Sequence, residues 1–262
     1  MKFHRVWALI CRHCYLYRRS PPRLAEIFFW PLLDLIVWGF VTLYLRSYAL
    51  PQFISFFLGA LILWDILFRA QQGISVSFLE EVWARNLPNL FVSPMRPSEF
   101  LAALMAMSVV KLLLAGVVSA LVAWWAYAFN LLTIGLSLIP FVLNLMMMGW
   151  AIGVVTMATI LRFGQEAEMM AWGLAFLVQP VSAVFYPVSV LPVWLQPMAL
   201  AMPSTHVFEG MRHVIETGHI AVGHLAIAAG LNTVYVTLAI ALFYRNLRIV
   251  REKGLIVRSG AQ

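Results

Sequence analysis

Residues 169–208 read MMAWGLAFLVQPVSAVFYPVSVLPVWLQPMALAMPSTHVF, forty positions without one Asp, Glu, Lys or Arg. Two antiparallel membrane helices and a turn would barely fit there, since one crossing takes about 20 apolar residues. The second half resists that reading. Pro187, Pro192, Pro197 and Pro203 each remove a backbone donor and clash with the preceding helical turn. Whether the stretch crosses once or twice sets the parity of the whole chain, and so the side on which its C-terminus lies.

The remaining sequence decides the parity. Of 262 residues, 63% are apolar and 11% charged, where soluble domains run at roughly 45–50% and about 25%. No soluble core could hide so much apolar surface, which excludes soluble enzymes, disordered chains and disulfide scaffolds together. Further apolar spans are predicted at 24–45 and 51–69, separated by Arg46-Ser47-Tyr48, and at Leu101–Phe129. Leu131–Leu161 follows, with Pro140 dividing an interfacial lead-in from the span proper, and Ile220–Tyr244 is the last.

With one crossing near 169–187 the spans number six. Fifteen of the eighteen basic residues then face the cytoplasm, and only Arg46 and Arg212 face outward. A seventh span would export Arg245, Arg248, Arg251, Lys253 and Arg258, against the positive-inside rule. The sequence therefore predicts an all-α membrane protein of six transmembrane helices, both termini cytoplasmic, as a single domain over 1–262. Residues 187–219 form an external re-entrant hairpin, broken by proline, whose backbone must be satisfied by protein or a water-filled cavity. The net charge of +7 is an orientation signal and calls for no nucleic acid.

Residues 1–23 are expected to be an amphipathic helix on the inner surface and not a cleaved signal. Phe3, Val6/Trp7, Ile10, Cys14 and Tyr17 recur at helical spacing, with Lys2, Arg5, Arg12 and Arg19 elsewhere. Ala70–Ser98 is the one large cytoplasmic loop. In it, Phe78-Leu79-Glu80-Glu81-Val82-Trp83-Ala84-Arg85 reads as a short amphipathic helix ended by Asn86-Leu87-Pro88-Asn89, before Leu90-Phe91-Val92-Ser93-Pro94. It suits either a solvated connector or a docking element presenting Glu80, Glu81 and Arg85, anchored by Phe78 and Trp83.

The order of these parts resembles the permease subunits of ABC-2 type transporters. Phe78-Leu79-Glu80-Glu81, then Leu90-Phe91-Val92-Ser93-Pro94, then Glu99 carry the likeness in the loop. Phe185-Tyr186-Pro187, Leu191-Pro192, Pro203 and Arg212 carry it outside. The resemblance implies that the loop helix is a coupling helix, with Glu80, Glu81, Trp83 and Arg85 contacting a cytoplasmic ABC ATPase. Two ATPase copies and a second permease copy would complete the transporter, with ATP and Mg held by the ATPase and no cofactor on this chain. Pro187, Pro192, Pro203 and Arg212 would belong to an outer gate. Trp38 and Tyr186 become possible pathway lining, although aromatics near membrane faces also form interfacial belts. The substrate would be an amphiphile (glycan, lipid or drug) moved outward across a bacterial inner membrane.

The sequence itself supports an external engine. Lys2, Lys111 and Lys253 are its only lysines, and none precedes Ser or Thr, so it contains no P-loop. Two charges lie deep in spans: Asp34 in the first and Lys111 in the third. They are expected to pair as a buried clamp, or less readily to form a proton relay, while Asp65 and Arg69 form a local i,i+4 pair. Cys11 and Cys14 supply only half of a four-ligand zinc site. From a different class comes a metal- or haem-handling protein built on His206, His213, His219 and His224, which cluster on the external side.

Overall fold

The computed structural model describes residues 1–45, 51–127 and 138–254. Arg46-Ser47-Tyr48, the lead-in ahead of Leu138 and Arg258 lie outside them. Among the described residues the chain is helical throughout, with no strand: α1 Phe3–Arg19, α2 Pro21–Leu45, α3 Pro51–Trp83, α4 Leu87–Val92, α5 Pro97–Tyr127, α6 Leu138–Phe163, α7 Met169–Val178, α8 Gln196–Leu200, α9 Pro203–Thr217 and α10 Val222–Glu252. Among the described residues four stretches are long and apolar enough to cross a membrane: Pro21–Val41, Pro97–Ser119, Leu138–Ala167 and Val222–Glu252.

α3 is the centre of the packing. A Cβ added to Gly149 would lie 2.4 Å from the Leu67 carbonyl oxygen and 2.7 Å from Ala70 Cβ, and one on Gly153 would lie 2.8 Å from the Gln71 oxygen. Gly149 and Gly153, one helical turn apart, let two backbones touch where any larger residue would separate them, the small-xxx-small device of membrane helices. Gly73 of α3 meets Ser108 of α5 in the same way, at 2.3 Å. Polar side chains join α10 to α6. Asn232 Nδ2 donates to the Asn144 carbonyl oxygen and to its Oδ1 at 2.9 and 3.0 Å, and Asn246 Nδ2 donates to the Ala158 oxygen at 2.8 Å.

These pairings fix relative directions. α6 runs parallel to α3, since Gly149 meets Ala70 and Gly153 meets Ile74. α10 runs parallel to α6, because Asn144 pairs with Asn232 and Ala158 with Asn246. α2 is antiparallel to α3, with Arg23 beside Glu80 and Trp38 against Phe57. α5 is antiparallel too, with Phe78 against Phe100 and Gly73 against Ser108. So is α7, where Phe68 meets Phe176 and Gln71 meets Ala171. Three helices point one way and three the other.

Three expectations are corrected. Residues 78–83 are not a separate helix in a 70–98 loop but the last turns of α3, which runs unbroken for 33 residues. Gly73 does not interrupt it, because that glycine is held against Ser108; the chain turns only at Arg85, with φ 51°, before the independent helix α4. The crossing near 169–187 is shorter than expected: α7 stops at Val178 and a 3-10 turn covers Gln179–Ser182. Pro180 lacks the donor that a further α-turn requires. Finally, α1 buries Val6, Leu9, His13 and Tyr17, while Phe3, Trp7 and Cys14 are exposed. Packing against α5 and α3 selects that adjacent stripe.

Candidate functional site

The C-terminal end of α3 and the N-terminal end of α5 are locked to α1 through charge. The Arg12 guanidinium grips Glu81 with both nitrogens, NH1 at 2.5 Å and NH2 at 2.9 Å, and Asn86 Nδ2 donates to the same carboxylate at 2.7 Å. Glu81 is only 2% exposed, so its side chain faces the protein and not a partner, contrary to the sequence reading. Glu80 also turns inward, its carboxylate 3.6 Å from Arg23 Nε. Trp83 and Arg85 do face outward; the Trp83 indole N–H donates to Glu168 Oε2 at 3.3 Å. Beyond them Val92, at the end of α4, is almost fully exposed.

α1 lies alongside α5 in parallel. At its start the Lys2 backbone N–H donates to Glu99 Oε1 at 2.7 Å, and the Arg96 backbone N–H donates to Glu99 Oε2 at 3.0 Å. Arg5 donates to the Pro94 carbonyl. At its end Tyr17 places its ring 4.6 Å beneath Lys111 Nζ, which also donates to Ser77 Oγ at 2.8 Å. His13 is buried between these two anchor points. Desolvation lowers its pKa from 6.5 to about 4, opposed by Glu81 and reinforced by Lys111, Arg12 and Arg23, so it is neutral at pH 7.

The expected Asp34–Lys111 pair does not form. Lys111 instead reaches to Ser77 and Tyr17, at the ends of α3 and α1, as long basic side chains do in membranes. The charged groups that act on Asp34 are Asp65 and Arg69, and Arg69 Nε donates to Asp65 Oδ2 at 2.5 Å, the local pair expected. Asp34 and Lys111 instead share a cavity of about 450 Å³ between α2, α3, α5 and α7, with Trp30, Phe68, Trp172 and Phe176 on its walls.

On the opposite side the proline-rich segment is stapled to α9. Arg212 NH2 donates to the carbonyls of Ala183, Val184 (3.2 Å) and Tyr186 (2.7 Å), while NH1 lies 3.0 Å from Glu209 Oε1. Glu209 in turn accepts the Val188 N–H at 2.8 Å. Ser182 and Ser204 hydroxyls meet at 2.8 Å. Irregular backbone is thereby satisfied by protein groups, as an apolar environment demands. Ala183 takes the left-handed conformation, φ 50°, where the chain reverses. Pro187 precedes a 3-10 turn at Val188–Val190, Pro192 offers its carbonyl to Leu195 and Gln196, and Pro203 starts α9, where its missing N–H is harmless. The Tyr186 hydroxyl donates to the Pro180 carbonyl at 2.6 Å. Trp38 packs on Phe57 and Phe57 on Phe185, with ring centroids 5.5 and 5.4 Å apart.

The histidines do not converge. His206 Nε2 faces the Leu200 carbonyl at 2.8 Å, its ring 5.8 Å from that of His224, while His213 and His219 are exposed. Among the described residues no three His, Cys, Asp or Glu side chains gather as metal ligands, so the metal- or haem-handling reading finds no support. Cys11 and Cys14 are free thiols. Sequence reasoning missed Arg12, His13, Tyr17, Ser77 and Glu168, whose neighbours lie on other helices and leave no local signature, and Asn86, five residues from Glu81. Glu209, three residues before Arg212, was a local signal as well.

A model of the ABC-2 type transporter family matches residues 4–215, from α1 into the last turn of α9. This chain belongs to that family, and is a membrane-embedded transport component. Among curated proteins none matches it.

Proposed function

We propose that this chain is the permease subunit of an ATP-driven exporter, carrying an amphipathic substrate outward across a bacterial inner membrane. It works as a homodimer with two copies of a separate cytoplasmic ATPase, which holds the ATP and Mg. The observation that carries the reading is the continuity of α3: one helix runs from among the membrane segments to an exposed end formed by Trp83, Arg85 and α4. In this arrangement Trp83, Arg85 and Val92 meet the ATPase. Glu80 and Glu81 act one step behind, holding α2 and the interface helix α1 to the moving end. The alternation of three helices against three supports six crossings with α3 and the short α7 included, and so both termini on the cytoplasmic side.

The outer gate is the α9 segment with its Arg212 staple and the prolines 187, 192 and 203. ATP-driven closure of the ATPase pair would displace the foot of α3, and the permease interface would shift between inward- and outward-open states as a rigid-body change. Co-purification with a co-expressed cytoplasmic ABC ATPase tests this. Arg85→Glu combined with Val92→Asp should abolish capture and permease-stimulated ATP hydrolysis while leaving the permease folded. Retained capture by that double variant would reject the assigned surface.

A further inference from the structure

The geometry points to a peroxide-reactive dithiol on α1, formed by Cys11 and Cys14, whose closure to a disulfide releases the grip of Arg12 on Glu81. Both cysteines are free thiols. They stand three apart on one helix, so they share a face, with Cβ atoms about 5–6 Å apart. That face is turned away from the bundle: Val6, Leu9, His13 and Tyr17 are buried, whereas Cys14 is exposed and Cys11 half-buried. An accessible thiol beside a second, more sheltered one suits a peroxide sensor, in which one sulfur attacks and the other resolves. Exposure gives Cys14 the first role and Cys11 the second.

The reaction takes a hydroperoxide, ROOH, as its oxidant. Cys14 Sγ attacks the terminal oxygen, the O–O bond breaks, and the alcohol ROH leaves with the thiol proton, so that Cys14 becomes a sulfenic acid. Cys11 Sγ then attacks Cys14 Sγ, the S–O bond breaks, and the hydroxide leaves as water with the Cys11 proton. Two thiols are oxidised to one disulfide, and the peroxide is reduced to alcohol and water.

Closure changes the helix. Cα atoms three apart on an α-helix, about 5 Å, already lie within the range a disulfide spans, but its Cβ atoms must approach to about 3.5–4.5 Å. The turn from Cys11 to Cys14 therefore tightens by about 1 Å or more. The two residues inside that turn are Arg12, with nitrogens 2.5 and 2.9 Å from Glu81, and His13, 1% exposed. A redrawn turn pulls both from their partners. Strained and exposed disulfides are the labile ones, so a thiol reductant should restore the joint. The site belongs to α1 and its neighbours alone and does not depend on the exporter reading.

The test uses the full chain in lipid nanodiscs, without ATPase, treated with cumene hydroperoxide and then cleared of it. Intact mass should fall by two hydrogens, peptide maps should show a Cys11–Cys14 link within one chain, and the midpoint temperature should drop until dithiothreitol restores it. Cys11→Ser should stop at a sulfenic acid that dimedone traps, and Cys14→Ser should react about tenfold more slowly. Arg12→Ala, whose grip is already lost, should form the link with a much smaller further drop in midpoint. Absence of the link in the folded chain, or a link between chains in its place, overturns the proposal. So does a link that leaves the midpoint of the unaltered chain unchanged, or an equal drop in Arg12→Ala.

Discussion

Arg12 of α1 and Glu81 of α3 form a two-pronged ion pair, at 2.5 and 2.9 Å, across 69 residues of sequence. Glu81 is 2% exposed on its side chain and Arg12 35%, so the pair is sealed on one side and open to water on the other. With the Lys2–Glu99 and Tyr17–Lys111 contacts, it ties α1 to the transmembrane body. Removing Arg12 leaves a buried carboxylate with Asn86 as its remaining side-chain donor.

Arg12→Ala should destabilise the chain by about 2 kcal/mol, below the 3–5 kcal/mol typical of breaking a fully buried pair because Arg12 is partly solvated. Glu81→Gln, which keeps the hydrogen-bonding shape, should cost less. Thermal unfolding of the purified protein gives the order, and limited proteolysis should show α1 released first. Equal effects from the two variants would mean the charge does not matter.

Arg212 holds three carbonyls and one carboxylate at once, a geometry a single ammonium cannot reproduce. Arg212→Lys should therefore behave nearly as badly as Arg212→Ala, each losing about 3 kcal/mol or more. A cysteine placed at Val190 should become more reactive to a membrane-impermeant maleimide in both variants. Normal labelling in Arg212→Lys would reduce the residue's role to simple charge.

Gly149→Val and Gly153→Val should each lose about 3 kcal/mol or more, since the new side chain meets backbone and not a yielding side-chain tip. Gly223→Ala, where an added Cβ meets nothing within 4 Å, should be neutral or slightly stabilising because alanine is the better helix former. Yield of monodisperse protein and midpoint temperature report the contrast.

His13 gives the chain an acid-sensitive joint. Unfolded, it titrates near 6.5; folded, it stays neutral down to about 4. Between those values the unfolded chain binds the extra proton, so this stabilisation is complete above about pH 6.5 and is lost as pH falls toward 4. The midpoint temperature should fall between pH 7 and 5, by less in His13→Gln. An identical slope in the variant would remove His13 from the account.

Much of the architecture was legible from composition and charge placement: the helical class and the long apolar helices. What sequence could not give was facing. Glu81 reads as a solvent-facing carboxylate because its i,i+4 neighbour is Arg85, yet its true partner is Arg12, and helical periodicity carries no information about contacts 69 residues away. Asp34 and Lys111 were matched by depth along their helices. Depth ignores a lysine's reach of about one helical turn toward water, and here that reach takes Lys111 to Ser77. The foot of α3 was hidden for a related reason: Gly73, Gln71 and Gln72 look like loop residues until Ser108 and the Ala171 carbonyl are there to receive them.

The unbroken α3 has a mechanical corollary. Its close contact with α6, Ala70–Gln71 against Gly149 and Gly153, divides it into unequal arms of about 18 Å toward Trp83 and about 30 Å toward Pro51, at 1.5 Å per residue. That contact is a fulcrum, and the helix a lever without a joint. A tilt about it that shifted the Trp83 end by one length would swing the Pro51 end through roughly 1.7 times as much, so a small stroke at one end would be magnified at the other.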